Sequence, residues 1–246
     1  MHNLLLDIGN SDIKAGNCIN GKNKVTLLKR FSYSKDNFEN DFNKNFKIIK
    51  KSNIDKIGIS VLNNSNIIFL KKYFRLNYKT DPVFINEKLK LPVNIDNVKG
   101  IGNDRICSVS AASEIFKKRN ILVIDFGTAT TYTLISDKKV KGGVISPGIK
   151  TSLDSLISKT SLPKVDIYFP DKILTNNTED NLRSGVLYQS LFSAERIIKE
   201  TKKIHKNLYV VATGGFSEII SAQTKLIDAT DMNLVLKGVN IILSNL

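Results

Sequence analysis

The chain has 246 residues, 41% of them hydrophobic and 24% charged, and its 37 basic and 23 acidic side chains leave a net charge of +14. That length supports one large domain or two modest ones around a proper core, and no apolar run approaches the roughly 18 residues a membrane-spanning helix needs. Two distant cysteines, Cys18 and Cys107, and two scattered histidines, His2 and His205, fit neither a metal-spacing pattern nor a Ser/His/Asp system.

The opening "MHNLLLDIGNSDIK" has no basic leader before its short leucine run, so a cytoplasmic protein is expected. The positive charge has two readings. A polyanion partner would explain it, and so would a surface rich in lysine and asparagine. The lysines are scattered ("GKNKVTLLKR", "NKNFKIIKKSN", "KKYFRLNYK") and lack the aromatic interleaving of nucleic-acid modules, which favours the second reading.

In chain order, "LLLDIGNSDIKAG" (4–16) is an apolar strand that ends on Asp7, turns through Gly9 and small polar residues, and returns as a second strand. "KIGISVL" (56–62) reads as a buried strand and "DPVFIN" (81–86) as a short one. "RICSVSAASEIFKKR" (105–119) sets Ile106, Val109, Ala112, Ile115 and Phe116 at helical spacing, with a basic end that suits the helix dipole. "LVIDFGTATTYTL" (122–134) then repeats the opening scheme of strand, Asp, Gly, small residues and second strand. "SGVLYQSLFSAERIIKETKK" (184–203) is amphipathic through Leu187, Leu191, Ala194 and Ile198. "NLYVVATGGF" (207–216) is a strand running into glycines, and "LVLKGVNIILSNL" is a closing helix. The class is α/β.

The two aspartates, Asp7 and Asp125, are 125 − 7 = 118 positions apart, close to half the chain. Two related halves, 1–118 and 119–246, each opening with a β-hairpin, are the economical expectation. A carboxylate at the end of an apolar strand is partly desolvated and calls for a compensating cation or hydrogen bonds. Gly9 and Gly127 allow close approach to the backbone. Asn10, Ser11, Thr128, Thr130 and Thr131 add donors, and tight turns of this kind present backbone N–H groups to phosphate oxygens. Lys14 follows on the second strand. One copy alone would serve equally well as a plain tight turn; two copies at matching positions point to a phosphate site.

Two further elements fit phosphoryl transfer. "VVATGGFSE" (210–218) places Thr213, Gly214 and Gly215 after a strand, where glycines can lie against a flat adenine or ribose. In "GIGNDRICSVSAA" (100–112), Asn103 or Asp104 falls at the start of a helix, whose dipole keeps a carboxylate ionised. Asp104 can accept a hydroxyl proton, and Arg105 suits bidentate binding of a carboxylate or phosphate. The plainer alternative is an N-cap aspartate and a surface arginine.

The order of phosphate hairpin, second phosphate hairpin and strand with Gly-Gly resembles the actin-like ATPase superfamily of sugar kinases, acetate kinases and Hsp70. The motifs "DIGNSDIK", "GNDR", "DFGTATT", "GGVISPGI" (142–149), "LPKV" (162–165) and "TGGF", in this order, look like type III pantothenate kinase. The resemblance runs over nearly the full chain. It implies two duplicated ribonuclease H-like halves with mixed sheets flanked by helices. It also implies transfer of the γ-phosphate of ATP to the primary hydroxyl of pantothenate, the first step of coenzyme A synthesis.

Carried onto this chain, the resemblance places Asp7, Ile8, Gly9, Asn10, Ser11, Asp12, Ile13 and Lys14 in the first phosphate loop, with Asp7 near magnesium, directly or through water. Asp104 becomes the proton acceptor, and Gly102, Asn103, Asp104 and Arg105 hold pantothenate. Asp125 binds a monovalent cation, potassium or ammonium, Thr128 contacts ATP, and Thr178 touches pantothenate, with N-capping of the following helix as its plainer role. "GGVISPG" becomes a strand and loop on the substrate side. A homodimer without membrane or nucleic-acid partners is implied. The pattern departs at Ile95, where the family carries a pocket tyrosine, and at Ser11, where threonine is commoner. Another small-molecule kinase of the superfamily, or a basic regulatory or nucleic-acid-binding protein on the same fold, stands as the alternative.

Overall fold

A computed structural model describes residues 2–19, 24–46, 54–62 and 64–246; parts of the lysine-rich stretches "GKNKVTLLKR" and "NKNFKIIKKSN" lie outside them. The strands are β1 (His2–Ile8), β2 (Asp12–Ile19), β3 (Val25–Ser32), β4 (Lys56–Val61), β5 (Val83–Phe84), β6 (Asn120–Phe126), β7 (Ala129–Ser136), β8 (Lys139–Pro147), β9 (Tyr209–Thr213) and β10 (Ala229–Thr230). The helices are α1 (Phe38–Phe46), α2 (Ile67–Tyr78), α3 (Asn103–Phe116), α4 (Ile149–Lys159), α5 (Thr178–Ile204), α6 (Ser217–Ser221) and α7 (Leu234–Ser244). No described helix is long and apolar enough to cross a membrane.

Two five-stranded sheets share one plan. The first runs β3-β2-β1-β4-β5 and the second, read from its other edge, β8-β7-β6-β9-β10. In each, an antiparallel meander of three strands is extended by two parallel ones. The likeness extends to burial: β1 and β6 have the same order of buried and half-buried positions, and Asp7 and Asp125 occupy the same half-buried slot before the last residue.

Side chains alternate across a strand, so β1 divides its residues between two faces. Leu4, Leu6 and Ile8 join a core with Phe38, Phe42 and Phe46 of α1 and Leu70, Tyr73 and Phe74 of α2. Asn3, Leu5 and Asp7 take the other face, where the Asn3 amide donates to Asn240 Oδ1 of α7 at 2.9 Å. In the second sheet, Leu122, Ile124 and Phe126 pack with α4 and α5. Asp125 lies on the opposite face by the same alternation.

The chain forms two compact units, residues Met1–Lys117 with Asn233–Leu246, and Lys118–Met232. The expected second half, 119–246, therefore does not keep its last helix. The reason is glycine: Gly16, Gly58 and Gly238 remove Cβ atoms where α7 meets β2, β4 and α3, which lets the helix settle on the first sheet. Two other boundaries also shift. α3 starts at Asn103 and ends at Phe116, where Lys117 closes it in a left-handed conformation (φ 50°), so the expected basic last turn lies outside the helix. α5 starts at Thr178, earlier than the expected 184. The long segment before it is fastened to α5: Arg183 donates to the Asp166 carbonyl at 2.9 Å and stacks on Tyr168, and the Ser184 hydroxyl donates to the Ile173 carbonyl.

Candidate functional site

In the first unit, β1 and β2 pair Asp7 with Lys14 and Ile8 with Ile13. The Gly9 N–H donates to the Asp12 carbonyl at 3.0 Å and closes a turn that leaves Asn10 and Ser11 exposed at its tip. Tyr33 clips this loop: its hydroxyl donates to the Gly9 carbonyl at 2.6 Å and its N–H to the Ser11 carbonyl at 3.3 Å. Ile8 and Ile13 are core side chains, so only their backbones can meet a ligand. The Asp12 carboxylate accepts from Ser32 at 2.6 Å and from Arg30 Nε at 3.0 Å. Burial would raise its pKa, but these bonds and the Arg30 charge hold it below the ordinary value.

α3 arrives at the same edge. The Asn103 amide donates to the Val61 carbonyl at 2.8 Å, and Val61 lies beside Ile8 in the β1–β4 register. The N-cap is Gly102, not Asp104, which sits in the first turn with Oδ1 accepting the Arg105 N–H at 2.7 Å. That oxygen would lie 2.6 Å from any Cβ at position 102, so a side chain there would displace the carboxylate from this position. The expected dipole effect does not prevail: burial dominates and raises the Asp104 pKa, against the lowering from the Arg105 N–H and charge. Burial draws Arg105 below its usual value, with Asp104 opposing. Full burial raises the pKa of the Cys107 thiol, and the charges of Asp7 and Asp104 push it further up. The hairpin after β1 and the start of α3 thus meet at one end of the first sheet, where β1 and β4 finish.

In the second unit, β6 and β7 pair Asp125 with Thr131, and β9 sets Thr213 beside it. The position that carries Lys14 in the first hairpin is therefore a threonine here. The exposed Thr128 tops the loop, and its carbonyl accepts the Gly148 N–H at 3.1 Å and the Thr151 hydroxyl at 2.5 Å. "GGVISPG" is edge strand β8 followed by the N-cap of α4. A Cβ on Gly148 would lie 2.2 Å from the Gly127 carbonyl oxygen, so this glycine braces the loop. Gly214 (φ 92°) is buried against Asp125 and Phe126, where a Cβ would lie 2.3 Å from Asp125 Oδ1. Its close approach is to the chain itself; Gly215 is exposed.

Thr178 is the exposed first residue of α5, and its expected capping role belongs to Asn177, whose side chain accepts the Asp180 N–H at 2.9 Å. Asp104 and Thr178 fall in different units. Ile95 is buried. Tyr33 and Arg183 escaped the sequence reading because no local pattern marks a side chain that reaches across to another segment. Gly148 carried a signal, the SPG turn, without its partner.

A family model described as type III pantothenate kinase matches residues 3–200, a stretch that ends before α7. A type III pantothenate kinase of Syntrophobacter fumaroxidans is 41% identical over 185 residues, 73% of this chain and 70% of that protein. The chain belongs to the type III pantothenate kinase family. Solved structures share the fold of this pantothenate kinase family member. One, described as a conserved Baf family transcriptional activator from Campylobacter jejuni, aligns with TM-score 0.60 at 22% identity over 98% of each chain. An inorganic polyphosphate/ATP-glucomannokinase from Arthrobacter sp. strain KM aligns with TM-score 0.51 at 12% identity over 100% of this chain and 99% of its own. The fold is thus that of the actin-like ATPase and sugar kinase group.

Proposed function

We infer that the chain carries out its family's reaction, ATP-dependent phosphorylation of pantothenate on the way to coenzyme A, with Asp104 as proton acceptor. The observation that carries the role is the Asp104 carboxylate, partly buried against Gly102 in the helix turn that Asn103 ties to the end of β4, beside the end of β1 that bears Asp7. The pantothenate hydroxyl oxygen attacks the γ-phosphorus, the bond to the β–γ bridging oxygen breaks, and the hydroxyl proton passes to Asp104. A raised pKa makes the carboxylate a better acceptor near neutral pH. Phosphoryl transfer rests mainly on positioning and charge stabilisation, which suits a single well-placed base. Arg105 and Asn103 orient pantothenate, with Thr178 a further contact.

The hairpin tips, exposed at Asn10, Ser11 and Thr128, would turn their backbone toward the phosphates, and Lys14 adds charge beside Asp7. Asp7 would hold magnesium, which when bound neutralises phosphate charge. Asp125 would hold potassium or ammonium. Its register neighbours Thr131 and Thr213 are uncharged hydroxyls, a hard-oxygen set. Among the described residues no three His, Cys, Asp or Glu side chains cluster to hold a metal ion, so each cation would rest on one carboxylate with hydroxyl, phosphate or water oxygens. A homodimer and a cytoplasmic location complete the proposal; the exposed Val144 and Ile145 on edge strand β8 offer apolar surface for a second copy.

The test is pantothenate phosphorylation with and without potassium, for the wild type and Asp104→Asn. Turnover that needs potassium and falls by about 10²–10⁴-fold in the variant is expected. Full activity of Asp104→Asn would remove the base.

A further inference from the structure

α3 carries Asp104, and the Arg105 N–H orients its carboxylate within the first turn, so where the carboxylate lies depends on where that turn is held. From Ile106 to Ser113 every α3 residue is buried, most of them small, so the helix is held by what lies on either side. At its start, Asn103 ties it to β4. One turn beyond Asp104, the Cys107 backbone meets α7 at Gly238. A Cβ there would stand 1.9 Å from the Cys107 carbonyl oxygen and 2.4 Å from its carbon. The two backbones touch directly, with no side chain between them to absorb a shift.

α7 is itself anchored independently of α3. Asn240 accepts from Asn3 of β1. The Lys56 ammonium of β4 donates to the Leu243 carbonyl at 3.2 Å. Val239 and Leu243 fill the space that a Cβ on Gly58 would take. These ties fix α7 to the two strands that present Asp7 and receive Asn103.

We propose that α7 is the positioning element of the phosphoryl-transfer base, and that Gly238 is its positioning residue. Its backbone contact with Cys107 sets where the first turn of α3, and so Asp104, lies against β1 and β4. The inference rests on Asp104 being the proton acceptor. Gly238 touches no substrate; it acts through α3.

Two glycines of the same helix interface separate positioning from plain packing. Gly238→Ala pushes on the α3 backbone, whereas Gly58→Ala meets the Val239 and Leu243 side chains, at 2.6 and 3.1 Å. Both overpack α7, and both are expected to lower Tm. Only Gly238→Ala is expected to lower kcat, by about 10–100-fold for a displacement near 1 Å, with KM for ATP kept within about twofold. An unchanged kcat in folded Gly238→Ala overturns the proposal. So does a kcat loss in both variants that simply tracks Tm. If Gly238→Ala does not fold, Asn240→Ala loosens α7 from β1 without touching α3; a kcat drop of several-fold at constant KM supports the proposal, and an unchanged kcat overturns it. Asp104→Asn is assayed beside them: if it keeps full turnover, the reading of the base has failed, whatever Gly238→Ala does.

Discussion

Asp104 combines two demands that conflict. Burial raises its pKa, so the native state binds this proton more tightly than the unfolded chain does. Stability therefore falls as pH rises from the ordinary value of 3.8 through the native pKa, and at neutral pH the buried charge is a net cost. Asp104→Asn is expected to raise Tm at pH 7 while removing turnover, and to lose that gain below pH 3.8, where both states are protonated; thermal melts at pH 7 and pH 3 check it. Gly148 makes the opposite case, a residue without a side chain that a loop depends on. Gly148→Ala must displace the Gly127 and Thr128 carbonyls, and overpacking of this kind costs about 1–3 kcal/mol. A higher KM for ATP with a lowered Tm is expected from steady-state assays and melts. Gly185→Ala on α5 is the control: nothing beyond its own stretch of helix lies within 4 Å of its Cβ position, and the substitution should be neutral or stabilising. Asp7, Asp125 and Asp104 were all readable as candidates, the first two as carboxylates that end an apolar strand and the third as one at the start of a helix. The glycine partners were not readable as partners, since Gly148 meets Gly127 from 21 positions away in sequence.

Among the elements, the hairpins were the most legible. Their apolar strands, Asp-x-Gly turns and alternating returns are local patterns, and both appear as β1–β2 and β6–β7. α1 and α2 went unread, although Phe38, Phe42 and Phe46 recur every four residues as a helical stripe should. Polar residues between them, in a stretch rich in asparagine and lysine, masked the period. These helices bury an aromatic cluster in which Phe42 stacks on Phe46 with centroids 4.6 Å apart and meets Tyr73 edge-on at 5.1 Å. Phe42→Ala should cost about 3–5 kcal/mol. At about 2–4 °C per kcal/mol for a chain of this size, the fall in Tm is large enough to measure directly. Because the cluster covers the sheet face opposite Asp7, KM values of the folded fraction should stay unchanged.

At the scale of the whole molecule, the net charge of +14 surrounds a reaction between two anions, ATP and pantothenate. Electrostatic steering predicts that kcat/KM at limiting substrate falls as ionic strength rises at fixed potassium, while kcat changes little. A flat response would leave the charge as surface composition alone. The sequence by itself determined the duplicated plan and its two Asp-x-Gly hairpins, because a strand and a tight turn are written in residues a few positions apart. Only the tertiary structure decided where the last helix belongs. α7 lies in the second half of the chain and packs into the first unit, because three Cβ-less positions distant in sequence, Gly16, Gly58 and Gly238, open a seat for it there. The same contact places the α7 backbone against α3 one turn from Asp104, a relation between residues 107 and 238 that no local pattern could encode.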